Sequence, residues 1–264
     1  MNIDDLKEVL SVVDEILPPK ECVTFRIEAQ PTTLFDNKIG GTPYFPKDME
    51  YPTFNDKPLV LLAQINFSTF KPIEGFPDRG IMQVYIADED CYGMDWDDNT
   101  SNTSFRVIYH EDIIEDPDKL IDSLPYEMSD DLPFKGEYLL TPNENSVMYA
   151  TPYLENFDDV FVEAYNDIMD NPINDIFELE DSLVNELYDR NERAYAWIGG
   201  YPIFTQYDPR SDEKYSTLLF ESDSFWNKEI NIMWGDSGTG TFFISPEDLK
   251  NKDFSKVLYS WDCC

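Results

Sequence analysis

Apolar residues fall at Ile3, Leu6, Val9, Leu10, Val13, Ile16 and Leu17, the three-and-four spacing of one helical face. Asp4 and Asp5 suit the positive end of that helix, and Pro18-Pro19 stops it. The period then changes. Val23-Thr24-Phe25-Arg26-Ile27 alternates and predicts a strand. From about residue 33 to 109 the chain breaks into short β-branched or aromatic segments separated by Pro, Gly and Asp, the punctuation of strands and turns. The same grammar returns from about residue 196 to 261, where Ser245-Pro246-Glu247-Asp248 adds one short helix start. Between these stretches the helical period reappears. Phe157, Val160, Phe161, Ala164, Tyr165, Ile168 and Met169 line one face of an amphipathic helix. Asn171-Pro172 breaks it, and Ile173, Ile176, Phe177, Leu183, Val184, Leu187 and Tyr188 predict a second.

The two β stretches echo each other in order. Ile39-Gly40-Gly41-Thr42-Pro43-Tyr44-Phe45 returns as Ile198-Gly199-Gly200-Tyr201-Pro202-Ile203-Phe204. Leu61-Leu62-Ala63-Gln64-Ile65-Asn66 returns as Leu218-Leu219-Phe220-Glu221-Ser222-Asp223. The strand opened by Gly80 is matched by the one that Gly238 opens, and Phe105 through Tyr109 by Phe254 through Tyr259. These echoes predict an α+β fold in one domain over residues 1–264. Its core is an internally duplicated antiparallel β structure, with repeats at about 33–109 and 196–261. Amphipathic helices from residues 2–17 and 155–190 pack against it. Short strands joined locally favour antiparallel pairing.

Composition narrows the class. Sixteen Tyr, 18 Phe and five Trp exclude a disordered acidic chain, despite a net charge of -35. More than half of that charge lies in the segment between the repeats, about residues 111–192. It is expected to be an acidic helical insert. So acidic a surface disfavours nucleic acid and anionic membrane, and favours a basic partner. No apolar stretch is long enough to span a bilayer, and the acidic start Met1-Asn2-Ile3-Asp4-Asp5 is unlike a secretory signal. Cys22, Cys91, Cys263 and Cys264 show neither metal-type nor disulfide-framework spacing, so a cytoplasmic location with reduced thiols is expected.

Few motifs carry chemistry. Gly235-Asp236-Ser237-Gly238 copies the surround of a serine-protease nucleophile, but the only histidine, His110, lies in an unrelated setting, and the repeat accounts for the glycine. A turn is expected. Asp95-Trp96-Asp97-Asp98-Asn99 starts like a calcium loop, yet Thr100 and Arg106 stand where Gly and Glu are required. No catalytic, metal or cofactor set emerges. Gln64 and Asn66, with Glu221 and Asp223 in the matching places, are polar positions on apolar strands. They satisfy backbone groups or face solvent, or they line a cleft between the repeats, with Trp234 and Asp236 nearby. Such a cleft suits an amine, a sugar or a peptide.

The same residues carry a family resemblance. Ile39 through Pro46 with Leu62-Ala63-Gln64-Ile65-Asn66, Gly199 through Gln206 with Asp208-Pro209-Arg210, Trp234 through Gly238, and Phe254 through Cys263 together resemble the YwqG-like family of bacterial proteins, a domain of unknown function. The resemblance implies a cytoplasmic α+β protein and no enzyme activity. It also implies a loose association with toxin neighbourhoods, where immunity-type proteins occur. The expected function is therefore a non-enzymatic protein-interaction module, in its sharper form an immunity-type protein binding a basic toxin partner through the acidic insert. The alternative is a small-ligand or peptide binder using Gln64, Asn66, Glu221, Asp223, Trp234 and Asp236.

Overall fold

The computed structural model describes residues 2–264, except the side chains of Glu144 and Asn145. The first helix, α1, runs Ile3–Ile16. Its start is fixed by a reciprocal cap: the Asn2 side chain accepts from the Asp4 and Asp5 backbone, and the Asp5 carboxylate accepts from Asn2 N–H. Leu6, Val9 and Val13 form its buried stripe, as the periodicity predicts.

Strands follow in the order β1 (Lys20–Glu28), β2 (Lys38–Ile39), a small hairpin of β3 (Thr53–Phe54) and β4 (Lys57–Pro58), β5 (Val60–Asn66), β6 (Ile81–Ile86), β7 (Phe105–His110) and β8 (Tyr138–Met148). Two helices come next, α2 (Phe157–Ile168) and α3 (Asp181–Tyr188). The second β stretch holds β9 (Ala196–Gly199), β10 (Thr217–Asp223), a hairpin of β11 (Phe225–Trp226) and β12 (Asn231–Ile232), then β13 (Thr239–Ile244), the short helix α4 (Pro246–Lys250) and β14 (Val257–Asp262).

Among the described residues, ten strands form one sheet in the order β14-β13-β10-β9-β1-β8-β2-β5-β6-β7. Its pairings are antiparallel. The long β1–β8 pair is the spine, with Lys20 opposite Met148 and Glu28 opposite Leu139. Each side of the spine carries a short strand, then three longer ones. The register slips once in each flank, between Leu61 and Ala63 and between Leu218 and Phe220. The sheet curls until its two edges nearly meet. Phe105 on β7 lies 5.3 Å from Tyr259 on β14 between ring centroids, and Tyr259 N–H donates to Asn99 O at 2.9 Å. The chain is thus mostly β, with a large antiparallel sheet nearly closed into a barrel and helices outside it.

The concave face buries one large core, including Val23, Ile39, Ile65, Ile198, Phe220 and Trp234. The convex face is covered differently on its two halves. Helices α1, α2 and α3 pack over the β9–β10–β13 half, against Trp197, Leu218 and Phe243. Loops around Leu34, Phe35, Ile113 and Leu120 cover the other half. One expectation needs correcting: the segment of about 111–192 is not purely helical. It gives the sheet its longest strand, β8, at the centre. Pro142 and Asn143-Glu144-Asn145 interrupt its alternation, so the sequence there reads as loop. No helix among the described residues is long and apolar enough to cross a membrane.

Candidate functional site

The two Gly-Gly turns set the geometry of both flanks. Gly40, Gly41, Gly199 and Gly200 all have φ between +66° and +73°, the left-handed region. A Cβ on Gly40 would fall 2.4 Å from Gly136 O, and on Gly199 2.7 Å from Glu21 O. Only glycine permits these bends against the neighbouring strand. Each turn sends the chain back over the convex face, where one strand side chain receives it. Tyr44 N–H donates to Gln64 Oε1 at 2.9 Å, and Ile203 N–H donates to Glu221 Oε1 at 3.0 Å.

Beyond this shared bond the flanks diverge. Gln64 is fully buried and fully engaged. Its amide donates to Leu34 O and Asp36 O at 2.9 Å each, and its oxygen also accepts from Gln83 Nε2 at 2.8 Å. Asn66 donates to Phe35 O at 2.9 Å and caps the following turn by accepting from Ser68 N–H. Gln83 continues the network, its oxygen bonded to His110 Nε2 at 2.9 Å and accepting from Tyr85. Burial holds His110 down at about 4, so it is neutral in this network. Lys38, opposite Gln64 in the register, is 1% exposed and donates to Thr33 O and Thr42 O at 2.6 Å each. Burial lowers its pKa to about 8, against the opposing pull of Glu137 and Asp36.

The second flank places carboxyls where the first places amides. Glu221 is 0% exposed and lies opposite Trp197 and Thr241 in the register. Burial raises its pKa well above the ordinary carboxylate range, and neighbouring Asp223 adds to the rise; the Ile203 N–H offsets only part of it. Glu221 therefore holds its proton more tightly than an ordinary carboxylic acid. Asp223, two residues on and on the same face, is densely surrounded but keeps some accessible surface. Burial raises its pKa to about 6, with the Thr239 hydroxyl and Arg193 pulling it down and Asp262 pushing it up.

Asp223 opens onto a cavity of about 340 Å³. The cavity lies between the end of α3, the segment leading into β9, and the second Gly-Gly turn. Its lining includes Tyr149, Tyr153, Tyr188, Trp197, Tyr201 and Phe204, with Asp189, Glu192 and Arg193 as further charges. Tyr153 and Tyr188 meet edge to face at 5.1 Å. In the first flank the carbonyls of Leu34, Phe35 and Asp36 instead meet the side chains of Gln64 and Asn66.

Of the six residues singled out in the sequence, Asp223 alone lines this cavity. Glu221 lies behind it as a buried acid. Gln64 and Asn66 are across the sheet, with β9, β1, β8 and β2 between their strand and β10. Trp234 belongs to the concave core, where Gly240 makes room for it; its indole N–H has no partner among the described residues. Asp236 is exposed in the turn before β13. No single cleft gathers the six. The aromatic lining escaped sequence reasoning because its residues come from four separate segments; the run of Tyr149, Tyr153 and Tyr188 around the helices was the available signal.

The remaining motifs resolve as structure. In Gly235-Asp236-Ser237-Gly238, Gly235 and Ser237 have φ of 51° and 70°, which makes a tight turn, while His110 is bonded to Gln83 on the other flank. Asp95 accepts from the Asp97 and Asp98 backbone, and Asp98 from Thr100, so their oxygens close loop turns. No group of three or more potential metal ligands occurs among the described residues. Cys22 is buried, Cys91 and Cys263 half-buried and Cys264 exposed, all as free thiols.

Residues 37–263 match the model of one family, described as a domain of unknown function, DUF1963. No curated protein matches the chain.

Proposed function

The chain belongs to the DUF1963 family, which assigns no activity, and we propose that it is a binding protein that takes a small ligand in the cavity beside Asp223. One observation carries this reading. Over Gln64 the first flank is covered by its own loop, fastened by two side-chain bonds, whereas beside Asp223 the second flank is open, and the opening is lined by aromatic rings with a few convergent polar groups. Its volume is at the lower end of the roughly 300–1,000 Å³ typical of small-molecule sites. Thermal-shift screening of a chemically mixed panel tests it, with an Ala194→Trp variant that fills the cavity. At least one compound should raise Tm by a few degrees in the parent and not in the variant. A panel without hits, or hits indifferent to Ala194→Trp, ends this reading.

The charge distribution favours a second reading. Helices α2 and α3 carry acidic first turns and no basic residue in their last turns, and Phe177 beside them is 65% exposed. This surface suits a basic protein partner, of which an immunity-type target is one form, since complementary charge speeds encounter and selects partners. Pull-down from native cells at low and moderate salt is its test; failure to recover a basic protein in both ends it. We also propose that the mirrored flanks descend from a duplicated unit, and that the chain is a YwqG-like bacterial cytoplasmic protein. The shared Gly-Gly turn, its carbonyl-side receptor at Gln64 or Glu221, and the matched register slips support the first of these.

A further inference from the structure

We infer that the cavity beside Asp223 selects an organic cation, a primary ammonium or guanidinium on a short carbon skeleton, with its charge at Asp223 and its skeleton against Tyr153 and Tyr188. This rests on the reading of the cavity as a ligand site and names the class of ligand.

Three observations lead there. First, the sheet itself places Asp223 at the cavity wall. It is the last residue of β10, its own N–H tied to Tyr195 O at 2.9 Å, so its carboxylate is held by backbone and not by a flexible loop. The groups facing it leave its charge poorly compensated. Glu221 on the same strand is an acid and offers no positive charge, Asp262 on β14 repels, and the Thr239 hydroxyl is shared with Glu221 Oε1 and Ser222 O. Among the described residues, Arg193 is the cation acting on it, and its guanidinium lies over the Tyr195 ring at 5.0 Å from the centroid. A buried carboxylate short of donors gains most from a ligand that brings N–H donors and positive charge together.

Second, the rings of this wall already attract cations from the chain. Lys20 Nζ stands 4.4 Å over the Tyr201 ring and Arg190 5.0 Å over Tyr149. Tyr153 and Tyr188 have no such partner among the described residues, and aromatic faces bind ammonium and guanidinium groups more strongly once water is excluded.

Third, charge discriminates against the opposite class. An anionic ligand would meet Asp189, Glu192 and Asp223 against Arg193, inside a protein of net charge -35. The field of the whole molecule concentrates cations at its clefts and repels anions.

A matched series tests the class: 4-phenylbutylammonium, 4-phenylbutanol and 4-phenylbutyrate, alike in skeleton and different in charge. Binding is followed by tryptophan fluorescence and ligand-observed NMR at pH 7.5, with parent, Ala194→Trp and Asp223→Asn proteins. The ammonium should bind the parent at least tenfold more tightly than the alcohol, and the carboxylate more weakly still. Asp223→Asn should bring the ammonium-to-alcohol ratio close to one, and lowering the pH from 7.5 to 5 should do the same in the parent. Circular dichroism and Tm establish that Asp223→Asn is folded. If the alcohol or carboxylate binds as well as the ammonium, in a manner still lost in Ala194→Trp, the inferred class is wrong and the ligand site stands. The class is equally wrong if the ratio survives Asp223→Asn. Absence of cavity-dependent binding both here and across the mixed panel overturns the site itself.

Discussion

The two flanks of the sheet solve one problem in two ways. Both must receive a chain that a Gly-Gly turn throws back over the convex face, and both do so with a side-chain oxygen at the same place on the second strand out from the spine, β5 or β10. In the first flank that oxygen belongs to an amide. Its nitrogen then satisfies two carbonyls of the covering loop, so the loop is fastened to the sheet over Gln64. In the second flank the oxygen belongs to a carboxyl, which offers at most one O–H where the amide offers two N–H groups to loop carbonyls. The cover there comes from helices, which satisfy their own backbone bonds and bridge the gap without filling it. A difference of one chemical group, amide or carboxyl, accompanies the difference between a packed core and a cavity.

The sharpest way to break the comparison is at Gln64. Gln64→Ala strands the Tyr44 N–H and the Leu34 and Asp36 carbonyls in the interior and removes one of the Gln83 amide's partners, and should cost about 4 kcal/mol, since each orphaned group costs about 1–3 kcal/mol and some will be rescued by relaxation. Gln64→Glu imports the second flank's residue into the first. It keeps the acceptor for Tyr44 but faces an oxygen to two carbonyls, so it should destabilise nearly as much. Denaturant melts of both variants check this; a loss below about 1 kcal/mol for either denies that the amide holds the loop.

Asp223→Asn should have the next effect, in the opposite direction. The carboxyl holds its proton more tightly in the folded protein, at about 6, than in the unfolded chain near 4. Its contribution is therefore most favourable below pH 4 and is lost as pH rises through 6. Above that, ionised Asp223 weakens the fold by about 1–3 kcal/mol, at 1.36 kcal/mol per pKa unit with allowance for residual solvent. The asparagine variant should recover that stability at pH 7.5, while losing the selectivity for cations. A stable variant with weaker binding is the pattern of a strained site kept for function. No gain in Tm at pH 7.5 would show that Asp223 is compensated after all.

Glu221→Gln gives the smallest change near pH 5, about 1 kcal/mol, because protonating a glutamate whose unfolded pKa is about 4.3 costs only about that much there. Its sign is again stabilising, and it should grow as pH rises toward 8, since the parent must take up a proton on folding and the variant need not. Parent and variant melts at pH 5, 6, 7 and 8 measure that slope. Parallel curves would mean that Glu221 folds in its charged form.

Much of this molecule is legible in its sequence. The stripe of α1, the faces of α2 and α3, and the strand-and-turn grammar of both β stretches follow from periods of 3.6 and 2 and from residues that permit only certain backbone angles. Gly40, Gly41, Gly199 and Gly200 announce their turns because nothing else fits there. Other features depend on what lies across space. Tyr138–Met148 is a central strand because β1 and β2 pair with it, although Pro142 and three polar residues hide its alternation. Gln64 and Asn66 are internal fasteners and Asp223 a cavity wall, although the sequence presents them as equivalents. What decides is the cover: a loop whose carbonyls face an amide on one side, helices that leave a gap above a carboxyl on the other. Local patterns determine which elements form, because propensity and amphipathicity act within a few residues. Where a polar side chain finds its partner is decided only when segments distant along the chain are packed together.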